Sequence, residues 1–342
     1  MTPTPSRRPS TLAVAAALLT VYIVWGSTYF AIAVMIQTLP PLLAAGIRFG
    51  IAGALVLGFL WLRERLSSPD GEPAERATWK QWRAAAIVGT LLLLGGNGGV
   101  VLSELFIPSG IAAVIVATTP IWLVVFDSAL TRRRPSALAI GGIGAGLVGV
   151  AILLVPVDGL DAIDPLGVLL VLFAELSWAA GSIYARRAPL PRSGLLGTGM
   201  EMLAGGAALV IAGSLIGEIG RTDPSRFSVE SLAAVAYLIV FGSILAFTAY
   251  TWLLAHVPVS TVGTYAYVNP IVAVALGAVF LSEPITPRTV LASVIIIGAV
   301  VAMVSGRPRE AHAADVPEPE PAAAPVHRAV DPTAQPSVQP DR

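Results

Sequence analysis

Residues 108–124 read PSGIAAVIVATTPIWLV, and residues 258–274 read PVSTVGTYAYVNPIVAV. A shift of 150 positions lays Pro108 on Pro258, Pro120-Ile121 on Pro270-Ile271 and Val124 on Val274. Both stretches are apolar, open on a proline and carry a second proline twelve residues later. A helix needs about 20 such residues to cross ~30 Å of hydrocarbon. The second proline then falls at mid-membrane depth, where it removes a backbone donor and frees the carbonyl one turn earlier. The pair points to a membrane protein made of two related halves.

The rest of the chain agrees. Of its 342 residues 55% are hydrophobic and 12% charged, against about 25% charged in soluble domains. The mean hydropathy is +0.79. Ten apolar stretches are long enough to be transmembrane helices, near 12–34, 42–62, 84–104, 108–130, 137–155, 165–185, 195–217, 232–255, 258–281 and 289–305. They are twice the ~10 residues of a barrel strand and do not alternate in polarity, so the expected class is all-α. The first stretch reads as a retained helix. Trp25 and Tyr29 stand where a signal peptide would have small residues for cleavage.

Basic residues set the expected orientation. With the N-terminus in the cytoplasm, seventeen of the 21 Lys and Arg fall on the cytoplasmic side, including Arg63, Arg65, Arg132–Arg134, Arg186 and Arg187. Arg221, Arg226 and Arg288 fall outside, and Arg48 is left within the second helix. The positive-inside rule therefore places both termini in the cytoplasm, which requires an even number of spans. Five helices per half then put the second half upside down. The expected division is a cytoplasmic segment 1–11, a first repeat 12–155, a second repeat 156–305 and a tail 306–342. The tail holds eight prolines between 307 and 342 and is expected to be disordered. Inverted repeats are a signature of secondary transporters.

Several chemistries are excluded. With no Cys there is no disulfide framework, thiolate metal site or Cys nucleophile. The single Lys, Lys80, is expected in a loop after Trp79, and no Walker A motif exists. Two of the three His, His312 and His327, lie in the tail, so no paired-His site forms in the membrane. Gly144, Gly146 and Gly149 spell a dinucleotide fingerprint inside an apolar helix, where close packing is the better reading. A net charge of zero disfavours nucleic acid. No cofactor, no metal and no enzyme activity are expected, and oligomeric state is left open.

Polar and aromatic residues at depth are the candidate site. Tyr22, Trp25 and Tyr29 share one face of the first helix; Glu175, Trp178 and Ser182 share one of the sixth; Thr261, Tyr265 and Asn269 share one of the ninth. Such stripes line a wet cavity or pack between helices. Asn97, among Gly95–Gly99, and Thr119, beside Pro120, join the candidates. Pro120 and Pro270 are candidate kinks that either gate the cavity or are static. Glu175 is an ionisable residue near a helix centre and a functional candidate by default: it binds a cationic group, carries a proton or is held protonated. Arg48 either snorkels outward or contacts an anionic substrate. Arg48 and Glu175 are thus the candidates for charge coupling.

In this order, these residues resemble a known family. Trp25-Gly26-Ser27-Thr28-Tyr29, Ala45–Phe49, Asn97, Pro108–Ala113, Thr119-Pro120, Ser177-Trp178-Ala179, Tyr265–Pro270 and Leu281-Ser282-Glu283 are similar to the EamA-type transporters of the drug/metabolite transporter superfamily. The stretches Glu201–Gly206 and Gly95–Gly99 resemble a bacterial inner-membrane exporter subgroup. The resemblance implies two five-helix repeats, a central cavity and export of small metabolites such as amino acids or drugs across the bacterial plasma membrane. It does not fix the substrate. Glu175 departs from the family, where a small or neutral residue is expected, and Ser282 replaces a common Gly. Protons are a possible coupling ion. The rival expectations are an uncoupled facilitator and a non-transporting scaffold or lipid-handling protein.

Overall fold

The computed structural model describes residues 10–66, 75–132, 134–155, 163–257, 259–262 and 264–305. Arg7, Arg8, Arg133, Pro258 and the proline-rich segment 306–342 lie outside them. No strand occurs among the described residues. The long helices are α1 (Thr11–Met35), α2 (Pro41–Leu66), α3 (Trp79–Ser103), α4 (Ser109–Thr131), α5 (Ala137–Leu154), α6 (Pro165–Ala185), α7 (Gly194–Leu215), α8 (229–256), α9 (Tyr265–Phe280) and α10 (Pro287–Ser305). Eight, α1 through α8, are long and apolar enough to cross a membrane, while α9 and the 287–302 stretch are shorter apolar helices. Leu19, Ile23, Leu55, Phe59, Phe173 and Ile211 are exposed, an apolar outer face of the kind that lipid covers.

Two expected boundaries change. Lys80 is helical, in the first turn of α3. Thr78 caps that helix, accepting from the Gln81 amide at 3.3 Å while the Gln81 side chain accepts from the Thr78 amide at 2.7 Å. The expected span 258–281 is divided: a single turn, Val259–Val262, precedes α9. Thr264 donates its hydroxyl back to Thr261 O at 2.5 Å, a local bond that competes with helix continuation.

Two helices contain π-helical stretches, Thr90–Asn97 in α3 and Leu238–Leu245 in α8. They fall at equivalent places in the two halves. A two-fold relation that exchanges α1 with α6, α3 with α8, and so on maps the packing onto itself. α1 packs on α8 and α9, while α6 packs on α3 and α4; α2 packs on α7, α4 on α9 and α5 on α10.

The α2–α7 seam explains the glycines. Leu43 lies beside Gly213, Gly46 beside Gly206 and Gly53 beside Gly199, so the two helices run antiparallel. A Cβ on Gly206 would lie 2.6 Å from Gly50 N and 2.8 Å from Gly46 O. Here backbone touches backbone, as small residues permit between membrane helices. Gly217 serves otherwise: its φ is +82° with open space around it, and it turns the chain after α7.

Carboxylates from distant loops hold the helix ends. Glu218, after α7, accepts from Leu42 N at 3.1 Å and Leu43 N at 2.8 Å at the start of α2. Reciprocally, Glu75, after α2, accepts from Arg192 N and Ser193 N, both at 3.0 Å, at the start of α7. Glu283, after α9, accepts from Ser109 N at 2.8 Å and Gly110 N at 3.0 Å at the start of α4. Each carboxylate meets unpaired N–H groups at the positive end of a helix. At the opposite pole, Arg288 donates to Val155 O at 2.6 Å at the end of α5.

Gly206→Val is expected to lower stability by about 1–3 kcal/mol, the scale of overpacking, and to reduce folded yield. Gly298→Ala meets open space and is expected to be silent in the same thermal unfolding assay in detergent. The Ser193 and Arg192 amides hold the Glu75 carboxyl below its ordinary range. Its stabilisation is therefore present above the unfolded-state pKa and is lost as pH falls through the lower folded value. Glu75→Gln is expected to flatten that part of the acid-side stability curve; an unchanged acid slope would exclude the cap.

Candidate functional site

The first site residue follows from a backbone break. α4 is interrupted at Ala117–Thr118, and a new helical segment starts at Thr119. Thr118 turns the chain by donating its hydroxyl to Ile115 O at 2.7 Å. Pro120 sits at the second position of the new segment, where its missing N–H would be unpaired in any case. The expected kink is therefore a break between two helices. The carbonyl that Pro120 cannot serve, Val116 O, accepts the Thr119 hydroxyl at 2.6 Å.

Thr119 Oγ1 also hydrogen-bonds Glu175 Oε2. A hydroxyl has one proton and two lone pairs. With that proton on Val116 O, the second bond is satisfied when Glu175 is protonated and donates to Thr119. Glu175 is 3% exposed, so its environment is set by the protein.

Pro270 differs, lying inside α9. The preceding residue, Asn269, is 6% exposed. With its amide nitrogen turned inward it donates to Tyr265 O at 3.2 Å and to Tyr22 O on α1 at 3.1 Å. Tyr22 also hydrogen-bonds Thr264. Asn269 is thus a brace between α1 and α9 as well as part of the cavity wall described next.

A cavity of about 120 Å³ lies among α1, α2, α4, α6, α8 and α9, and Trp25, Tyr29, Thr119, Trp178, Tyr265 and Asn269 line it. Arg48 lines it too, with Thr28, Gly242 and Phe247. Glu175 stands behind the wall, touching it through Thr119. Trp25 is fixed by Phe247 and Tyr265, with ring centroids at 5.4 and 5.1 Å. Its indole N–H donates to Gly242 O in the π-helical stretch of α8 at 3.3 Å. The other half repeats the device: Ser177, next to Trp178 on α6, donates to Leu91 O in the π-helical stretch of α3 at 2.7 Å. A Cβ on Gly96 would lie 2.9 Å from the Trp178 ring. Both tryptophans rest against glycine in a widened turn.

Asn97 does not line the cavity; its Oδ1 is buried without a hydrogen-bond partner at the end of the α3 π-helical stretch. Ser182 and Thr261 also lie outside the wall. Glu104, which follows the end of α3, has both carboxylate oxygens buried without a hydrogen-bond partner. Sequence reasoning missed Thr28, Gly242 and Phe247 as lining residues. The Gly242-Ser243 pair in an otherwise apolar stretch was a signal, as a break in an apolar run comparable to the Gly95-Gly96 pair of α3.

Comparison with known proteins now assigns the family. The model of the EamA-like transporter family matches residues 12–155 and again 165–305. The chain is 40% identical over 292 residues to the uncharacterized inner membrane transporter YedA of Escherichia coli K12, covering 85% of this chain and 90% of that one. It is 27% identical to the protein PecM of Dickeya dadantii, over 81% of this chain and 88% of that one. The uncharacterized transporter YvbV of Bacillus subtilis is 24% identical, over 86% and 92%. A crystal structure 20% identical in sequence superposes with a TM-score of 0.58, over 86% of this chain and 96% of that one, and shares the fold. The chain belongs to the EamA-like transporter family, as two tandem copies of its domain.

Proposed function

We propose that this protein is a secondary transporter of the bacterial plasma membrane that exports small organic metabolites, amino acids or related compounds, by alternating access around the cavity. The observation that carries the reading is the cavity itself. Its wall draws on α1, α2 and α4 from one half and α6, α8 and α9 from the other, so relative movement of the halves changes it directly. A volume of about 120 Å³ is below the ~300–1,000 Å³ typical of drug-sized pockets and favours a small solute. In this reading all ten helices span the bilayer, α9 with the turn before it, and both termini are cytoplasmic. The repeats, 12–155 and 156–305, are inverted, in keeping with the antiparallel run of α2 and α7. The outward direction follows the exporter subgroup that the sequence resembles.

Glu175 is the coupling group in this reading. Proton exchange with the cavity passes through Thr119: its hydroxyl turns from Val116 O, gives its own proton to the cavity side and takes up the proton of Glu175. Loss of the Glu175 proton leaves a carboxylate that can only accept, so Thr119 must turn its proton from Val116 O to Glu175 to keep the tie between α6 and the restart of α4.

Reconstitution in liposomes, with amino acids, sugars and cationic drugs as solutes, tests both claims. Flux that an imposed pH gradient accelerates is expected, and Glu175→Gln should retain exchange while losing the response to the gradient. Gradient-indifferent flux of the unmodified protein would establish uncoupled facilitation. No flux of any class would remove the transport reading in favour of a scaffold.

The cavity is tested separately at Gly242. A Cβ there would lie 3.2 Å from Thr28 Cγ2 and 3.3 Å from Arg48 Nη2. Gly242→Val should lower flux by about tenfold or more, equivalent to ~1.4 kcal/mol, with folded yield retained. Gly58→Val, in open space, is the control.

A further inference from the structure

Arg48 is the one feature of the cavity that the proposed transport cycle leaves unused. It does not reach outward: it is 3% exposed. Its Nε donates to Ser243 Oγ at 3.1 Å, and its guanidinium carbon lies 4.4 Å from the centre of the Phe49 ring. Its Nη1 is buried with no hydrogen-bond partner. Among the described residues it makes no ion pair, and Glu175, the acid behind the cavity wall, is engaged with Thr119. A guanidinium carries five N–H donors, and a charge left unpaired at this depth is costly. Yet Arg48 forms part of the cavity wall.

We infer that Arg48 is the anion-recognising residue of the cavity and that the transported solutes carry a carboxylate, which its free N–H groups hold. The inference rests on the reading of the cavity as the substrate site and narrows the class of substrate. A planar fork of two N–H groups matches a carboxylate in two parallel bonds. Arg48 is the only cation in the wall, and the space is small. One singly charged headgroup fits that description better than a phosphate ester, whose second charge would stay unmatched. The aromatic rings of Trp25, Phe247 and Tyr265 offer the remainder of the solute an apolar surface. The missing counter-ion of Arg48 is thus supplied by the cargo.

The test uses the full-length protein in chloride-free buffer with five probes: L-leucine, 4-methylpentanoate, 4-methylpentanamide, isoamylamine and chloride. Binding is read in detergent by tryptophan fluorescence, since Trp25 and Trp178 line the cavity, and flux of the same probes is read in liposomes. Leucine and 4-methylpentanoate are expected to bind, and the amide and the amine to bind at least tenfold more weakly. Arg48→Gln should weaken the two carboxylates by about thirtyfold or more, the scale of a lost charge-assisted pair, and Arg48→Lys by less. Removal of an unpaired charge should leave the empty Arg48→Gln protein as thermally stable as the parent or more so, opposite to the loss expected of a structural arginine. If Arg48→Gln does not fold, Arg48→Lys, which keeps the charge and loses the fork, decides on the same readout. Equal binding of acid and amide, unchanged carboxylate affinity in the variants, no binding of any probe, or binding of chloride alone would each overturn the inference. Carboxylate binding without flux would instead sink the transport reading and leave the site standing. Flux without carboxylate preference would do the reverse.

Discussion

Inside a bilayer no water completes the hydrogen bonds of the backbone, so each break or end of a helix must find its partner within the protein. Several of the polar residues of this apolar chain answer that demand. Pro120 strands Val116 O, and Thr119 supplies the proton. The π-helical stretches of α3 and α8 loosen the regular bonding, and Ser177 and Trp25 donate to their carbonyls from the opposite half. The starts of α2, α4 and α7 take carboxylates from loops over a hundred residues away. The cavity forms where these answers converge. Thr119 and Trp25 each serve the backbone on one side and face the cavity on the other.

The seams between the halves differ in kind. Along α2 and α7 the glycines bring backbone against backbone, leaving few side chains to repack. Around α1, α4 and α9, where Gly26 meets Val272 and Gly110 meets Val274, individual hydrogen bonds are added: Asn269 to Tyr22 O, Tyr22 to Thr264, Ser109 to Glu283. Bonds of that type can be exchanged for others at similar free energy, whereas an interdigitated glycine seam cannot shift without opening a void.

Much of this was legible in the sequence because apolar length and charge placement are strong signals. The helices were visible, and the aromatic and polar stripes pointed to Trp25, Tyr29, Trp178 and Tyr265, all of which line the cavity. Other features left no local trace. A π-helical turn has the composition of the helix around it, so Thr90–Asn97 and Leu238–Leu245 were invisible, and with them the role of Gly242. Glu75 and Glu218 carry no local sign of their role, because their partners lie 117 and 176 residues away in sequence. Asn97 drew attention as a polar residue among glycines, but helix geometry turns it away from the cavity wall. Pro120 suggested a kink; the Thr118 hydroxyl ends the first segment before the proline is reached.

The exchange of Glu75 and Glu218 has a further consequence. Each half presents a helix start to the other and receives a carboxylate in return, which is the self-complementary form of contact that joins the subunits of a two-fold dimer. The covalent link between the halves adds proximity to that contact without altering its form. Two separate copies of a half, one inverted against the other, meet the same requirement. The present chain therefore joins its halves by the bonding pattern that a two-fold homodimer would use.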